Sequence, residues 1–358
     1  MDTDVIRQRL KHIREQLKKK GVTCLVVTKP ANVTYLTGFL GCDSWAVIGP
    51  RGVYLLTDSR YTEQARGECR RCKIIERTRP MPEAAGVLLK KLKSLQAIHI
   101  EKSATLTDFT QLRRFYGRIK ISEDIIESLR SCKDASEVAE IKKAARIAAK
   151  ALKQTLRSIK PPISENALAG ELDLQIRKTG GRNSFETIVA FGADASRPHH
   201  QPTNRKLKKN DTVLIDFGIR YEGYCCDITR CFSVGAPSPF YKKVYNAVQE
   251  AQAAAIKMVR AGVEIADIDA AARKVIAGYK LPVYGHGTGH GLGIEVHEAP
   301  FVTKKTKGKM RVGNVITIEP GVYIPGRLGV RIEDDILVTN TGADILTRSC
   351  PHLPFEFA

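Results

Sequence analysis

Asp216, Asp227, His290, Glu319 and Glu333 stand in an order and local context that suits a two-metal hydrolytic centre. Asp216 and Asp227 lie in TVLIDFG (212–218) and YCCDITRCF (224–232), which read as the arms of a β-hairpin turning at Glu222-Gly223. Glu319 and Glu333 lie in NVITIEPG (314–321) and GVRIEDDILVT (329–339), a second strand pair separated by the Gly/Pro-bearing GVYIPGRLG. Strand side chains alternate faces, so one acidic residue on each arm can point inward beside its partner on the other. All four segments are apolar, and a buried carboxylate needs a pairing partner or a metal. His290 comes from the Gly-rich run GHGTGHGLG between the two pairs. Four carboxylates and one imidazole suit paired divalent cations about 3.5–4 Å apart. Carboxylate-dominated ligation puts Mn(II) first, with Co(II), Fe(II) and Zn(II) behind it. A water shared by two such ions ionises near neutral pH and supplies a nucleophile.

At these residues the chain resembles the metallopeptidases that include methionine aminopeptidase, prolidase and aminopeptidase P, the pita-bread fold. HGTGHGLGIEVHE (286–298) looks like the signature of the proline-specific branch, with IEPG and RIED following at family-like spacing. The resemblance implies that Asp216 binds one metal, that His290 and Glu319 bind the other, and that Asp227 and Glu333 bridge both. It also implies that His199 in RPHHQP, His286, His297 and Arg331 are neighbouring or substrate-contacting groups. In that reading Glu319 shuttles a proton to the leaving nitrogen, which is proline's. His297 or His199 stabilises the carbonyl oxygen, and His286 and Arg331 hold the site.

The resemblance therefore implies a dinuclear-metal exopeptidase of aminopeptidase P type, with Xaa-Pro dipeptidase as the alternative. Many prolidases follow the HExP motif with an arginine that grips a dipeptide's terminal carboxylate. Here Phe301 follows His297-Glu298-Ala299-Pro300, which tilts the expectation toward peptides extending beyond proline. A serine-nucleophile mechanism finds no GxSxG elbow. GHGTGHGLG has GxGxxG-like spacing but not the flanking strand and helix of a dinucleotide site. A non-catalytic binding member of the fold would be favoured by lost ligands, and none is lost.

The elements that must position these groups divide at SLRSCKDASE. Residues 1–130 read as an α/β domain: Ile6, Leu10, Ile13 and Leu17 at helical spacing, then the short apolar strands TCLVVT, SWAVIGP, VYLLTDSRY and AIHIE. NVTYLTGF (32–39) and TDSRY (57–61) look like the creatinase/prolidase N-terminal domain. The resemblance implies a homodimer in which a Tyr-Leu-Thr-Gly loop places Tyr35 near the partner's substrate. Trp45 is expected to pack within its own domain.

Residues 131–358 read as an α+β catalytic domain that states one plan twice. Asp134 and Glu137 form a capping-box start to a helix through Ile141, Ala145, Ala148 and Leu152. Helices near 135–158 and 164–179 precede the Asp216/Asp227 hairpin, and helices near 239–261 and 265–278 precede the Glu319/Glu333 pair. Two αα-plus-hairpin halves facing one another would bring both carboxylate pairs to a shared seam.

Composition bounds the remainder. A chain of 358 residues is comfortable for two cores. Its first 20 residues lack the apolar core of a signal peptide, and nine scattered cysteines suit reduced thiols, so a cytoplasmic location is expected. Cys69-Arg-Arg-Cys72 is a lone CxxC and reads as two free thiols, while Cys225, Cys226 and Cys231 read as buried strand residues. The net charge of +20 is spread, with 26 Lys+Arg against 14 Asp+Glu in residues 1–133. No nucleic-acid-reading motif and no membrane-length apolar stretch accompanies it, so neither partner is expected.

Overall fold

The apolar spacing of residues 5–17 folds as the helix Thr3–Lys19, which buries Ile6, Leu10, Ile13 and Leu17. The structure is a computed structural model that describes residues 3–69, 71–92 and 95–352. It divides into two compact units, Met1–Arg130 and Ser131–Ala358.

In the first unit a six-stranded mixed sheet runs in the order Lys73–Glu76, Gly52–Thr57, Trp45–Gly49, Cys24–Val27, Ile98–Ile100, Ile119–Ile121. Trp45 is buried in this unit's core, with Val26, Val47 and Leu56. The expected Tyr-Leu-Thr-Gly loop is instead the last turn of the helix Pro30–Thr37. Pro30 presets its first turn, and Gly38, at φ 79°, takes the left-handed position that ends it. Tyr35 is buried inside the unit with the Arg9 guanidinium 4.3 Å from its ring centre, so it is not displayed as a substrate contact would be.

In the second unit the helices Ala135–Thr155 and Glu165–Lys178 cover the antiparallel hairpin Thr212–Tyr221/Tyr224–Ser233, whose edge carries Arg182–Asn183 and Ile188–Phe191. The capping box of Asp134 and Glu137 is formed. Ala144, Ala145, Ala148, Ala149 and Ala151 are buried, and such small side chains let the helix lie close to the strands. Glu222 and Gly223 both have positive φ, the two-residue turn that matches strand twist.

The helices Pro239–Met258 and Ile265–Gly278 pack in a common core with strands of a second, five-stranded sheet. Its strand order is Glu298–Val302, Gly289–Gly291, Val315–Ile318, Asp334–Val338, Ala343–Ile345. The halves correspond in detail. Ser164 and Glu264, each in the position just before the second helix of its pair, make isolated bridges to Lys206 and Lys309, and Gly180 and Lys280 both take positive φ just after those helices.

The second strand pair is not one continuous ladder. Ile318 pairs with Asp334 in the five-stranded sheet, whereas Gly321 pairs with Arg331 in a separate two-stranded ribbon. Pro320, with no N–H to donate, lies at the break. Glu319 and Glu333 sit in the gap, free of ladder geometry.

Candidate metal centre

The first hairpin sets Asp216 opposite Thr229 and Asp227 opposite Gly218, so the two carboxylates share a face two positions apart. His290 is carried by the strand Gly289–Gly291, and its neighbours must be glycine. A Cβ on residue 289 would lie 1.9 Å from the Thr317 carbonyl oxygen, and one on residue 291 would lie 2.3 Å from that of Ala299. The glycines thus let two strands close in and push the imidazole toward the carboxylates.

Ligand-capable atoms of Asp216, Asp227 and Glu333 lie within 4.8 Å of one another, as do those of His290, Glu319 and Glu333. Glu333 is common to both groups. A third group of the same span joins Asp227 and His290 to His297.

The protonation pattern fits cations. His290 Nδ1 faces the Gly291 carbonyl oxygen at 3.1 Å and must donate to it, which leaves the Nε2 lone pair facing Glu319 Oε1 at 3.4 Å and Asp227 Oδ2 at 3.7 Å. Burial, then the neighbouring His297, lowers the His290 pKa to about 4, so the ring is neutral at pH 7. Asp216 Oδ1 and Asp227 Oδ1 are buried without a hydrogen-bond partner. Burial pushes the Asp227 and Glu333 carboxyls well above the usual range, and the negative charge of neighbouring acids, Glu333 and Glu319 respectively, adds to it. Glu319 is raised to about 7 by burial, with Arg331 opposing and Asp216 adding. Acceptors gathered with too few donors are what a divalent ion would satisfy.

Hydroxyls and one guanidinium hold these candidate ligands. Thr229 donates to Glu333 Oε2 at 2.6 Å, and Thr317 donates to Glu319 Oε1 at 3.3 Å while accepting the His290 N–H. Arg331 is buried and donates to Asp216 Oδ2, to Thr229 at 3.1 Å and to the Tyr323 hydroxyl at 2.7 Å, so it is occupied within the site. His286 donates its Nδ1–H to the Gly287 carbonyl oxygen and receives the Tyr323 hydroxyl at Nε2. Burial lowers its pKa to about 4. Arg273 braces this loop by donating to the carbonyl oxygens of Tyr284 and His286.

Asp216, Asp227, His290, Glu319 and Glu333, with His286 and Arg331, line a cavity of about 720 Å³ together with His199, His297, Phe185, Ile188 and Phe301. All nine residues named from the sequence line it. His297 is exposed and meets the His290 ring edge-on at 4.2 Å between centres. His199 is exposed as well, while its neighbour His200 is buried against Glu165 at 2.9 Å. Glu165, Asp194 and His200 could also be taken for a metal group. Glu165, however, already accepts from Phe191, His200 and Thr203, which saturates it. Thr229, Thr317, Tyr323 and Arg273 were not marked by any sequence pattern. None of the nine cysteines is in a disulfide, and Cys225, Cys226 and Cys231 are buried in the hairpin; Arg70, inside the Cys69–Cys72 motif, lies outside the described residues. Among the described residues no helix is long and apolar enough to cross a membrane.

Residues 139–340 match the model of metallopeptidase family M24, and residues 9–132 match that of the creatinase/prolidase N-terminal domain. Among solved structures, the chain is similar to an Xaa-Pro dipeptidase from Bacillus anthracis, with a TM-score of 0.92, 32% identity and coverage of 98% of this chain and 99% of that one. It is similar to an X-Pro aminopeptidase from Thermotoga maritima, with a TM-score of 0.91, 32% identity and coverage of 97% and 99%. A prolidase from Pyrococcus horikoshii follows at 0.89 and 30%, also covering 97% and 99%.

Proposed function

The chain belongs to metallopeptidase family M24, and from that premise we propose that it is a dinuclear-metal exopeptidase cleaving the Xaa-Pro bond, with residues 131–358 as its catalytic domain. The observation that carries this reading is the pair of acidic groups sharing Glu333, with the unprotonated Nε2 of His290 facing carboxylates. Asp216, Asp227 and Glu333 would hold one divalent ion and His290, Glu319 and Glu333 the other, with Asp227 also beside the second; Mn(II) is the ion we assign first. When bound, such a pair polarises a carbonyl and lowers the pKa of water toward neutrality.

The chain's own residues supply the remainder. Glu319, held at Oε1 by the Thr317 hydroxyl, is the carboxylate placed to carry a proton to the leaving proline nitrogen. His297, exposed at the cavity beside His290, donates to the carbonyl oxygen as charge develops there. Arg331 fixes Asp216, and His286 with Tyr323 fixes Arg331 from behind.

Phe301, in place of an arginine, favours peptides longer than a dipeptide. Two of the three structures described above carry dipeptidase or prolidase names, which moves Xaa-Pro dipeptides to first place. The longer-peptide reading stands second on one observation. Arg331 is the only lysine or arginine lining the cavity among the described residues, and it is engaged internally. Comparing kcat/KM for Ala-Pro and Ala-Pro-Gly-Gly with Mn(II) present separates the two. A dipeptide preference supports the first, and equal or better cleavage of the tetrapeptide supports the second.

A further inference from the structure

Phe301 is the direct antiparallel partner of His290, so its side chain stands on the same face of the sheet as the imidazole, and it is 51% exposed. Val302 is buried on the other face, and Thr303 returns to line the same cavity. The chain then makes the turn TKKTKGK (303–309). This turn is tied down. The Thr303 and Thr306 hydroxyls meet at 2.8 Å, Gly308 accepts from the Ile265 N–H, and the Met310 N–H donates to Val263.

Lys304, Lys305 and Lys307 are exposed on it, and no ion pair holds them among the described residues, whereas Lys309 faces Glu264 at 3.7 Å. Outside the four carboxylate ligands, Glu186 is the only acidic residue lining the cavity among the described residues. The cavity lining therefore runs from carboxylates through Phe301 to Thr303, and the three lysines follow directly in the chain, outside the lining.

We propose that this lysine turn is a specificity element that favours substrates bearing a carboxylate on the leaving side of the scissile bond. The inference rests on the exopeptidase reading. If one residue is removed from the amino end, that end occupies the buried, carboxylate-lined base and everything after the scissile bond extends toward the rim. A substrate residue advances about 3.3 Å, and Thr303, which lines the cavity, is followed directly by Lys304, so negative charge one to three residues past the bond would extend toward the lysines, an attraction that salt screens. The source is either the terminal carboxylate of a short peptide or an acidic side chain of a longer one.

The test compares kcat/KM of the Mn(II)-loaded full chain for Ala-Pro with Ala-Pro-NH2, and for Ala-Pro-Glu-NH2 with Ala-Pro-Gly-NH2, in low salt. The first pair reports the terminal carboxylate and the second the acidic side chain. At least one ratio should favour the anionic peptide by about three- to tenfold, fall toward one at high salt, and collapse in Lys304→Ala/Lys305→Ala/Lys307→Ala. Ratios near one in the wild type, or a preference that survives in the triple variant, would overturn the proposal while leaving the exopeptidase reading intact. Failure to cleave any of the four peptides would overturn both.

Discussion

The guanidinium of Arg331 donates to Oδ2 of Asp216 while Oδ1 of the same carboxylate has no partner at all. One oxygen is thus fixed by the protein and the other is unpaired, as the proposed metal ligation requires. Arg331→Lys keeps the charge but loses the planar fork that reaches Asp216, Thr229 and Tyr323 together. Metal affinity should fall about 10- to 100-fold, as for other groups that orient a ligand. Titration of the stripped protein with Mn(II) checks this, and unchanged affinity would show that Asp216 is oriented by something else.

Asp227→Ala and Glu333→Ala should each abolish turnover in a folded chain. Glu333 belongs to both acidic groups, and Asp227 joins Asp216 and Glu333 on one side to His290 on the other. Elemental analysis should return fewer ions per chain than the wild type. Full activity with an undiminished metal count would remove these residues from the site.

The metal-free protein should respond to pH through Glu319, whose carboxyl is raised from its usual 4.5 to about 7 by burial. In that range the folded state binds more protons than the unfolded one. Stability from this group is complete below 4.5 and is lost as pH rises to about 7. Glu319→Gln removes the titration while His286 and His290 remain in both proteins. In chelator, the variant's melting temperature should gain on the wild type as pH rises across this window. A difference that is flat with pH would mean that Glu319 is not held protonated.

His297→Ala should cut turnover about 10²- to 10³-fold, the usual cost of a lost transition-state donor, with metal content retained. Its place near Asp227 and His290 offers the rival role of ligand. Parallel loss of metal and activity would establish that rival.

Much of this architecture was legible because it is local. The turn at Glu222-Gly223, the capping box at Asp134 and the four helices of the second unit follow from spacing and turn chemistry within short windows. The break at Pro320 was written in the sequence as well, but its effect depends on which strands lie beside it. The supporting hydroxyls were not legible. Thr229 meets Glu333 across 104 positions of chain and Thr317 serves His290 across 27, and no periodic pattern marks such pairs. The tandem His199-His200 gives no local sign of which ring turns inward. That choice is made by Glu165, 35 positions earlier.

A two-ion centre that cleaves Xaa-Pro bonds ties turnover to metal occupancy, so both are followed in one titration. Stripped protein would be titrated with Mn(II) while Ala-Pro cleavage and bound metal are followed together. There should be no turnover without metal, and activity should rise to a plateau as the second ion per chain binds. Turnover in excess chelator, or two bound ions with no cleavage of any Xaa-Pro peptide, would contradict it.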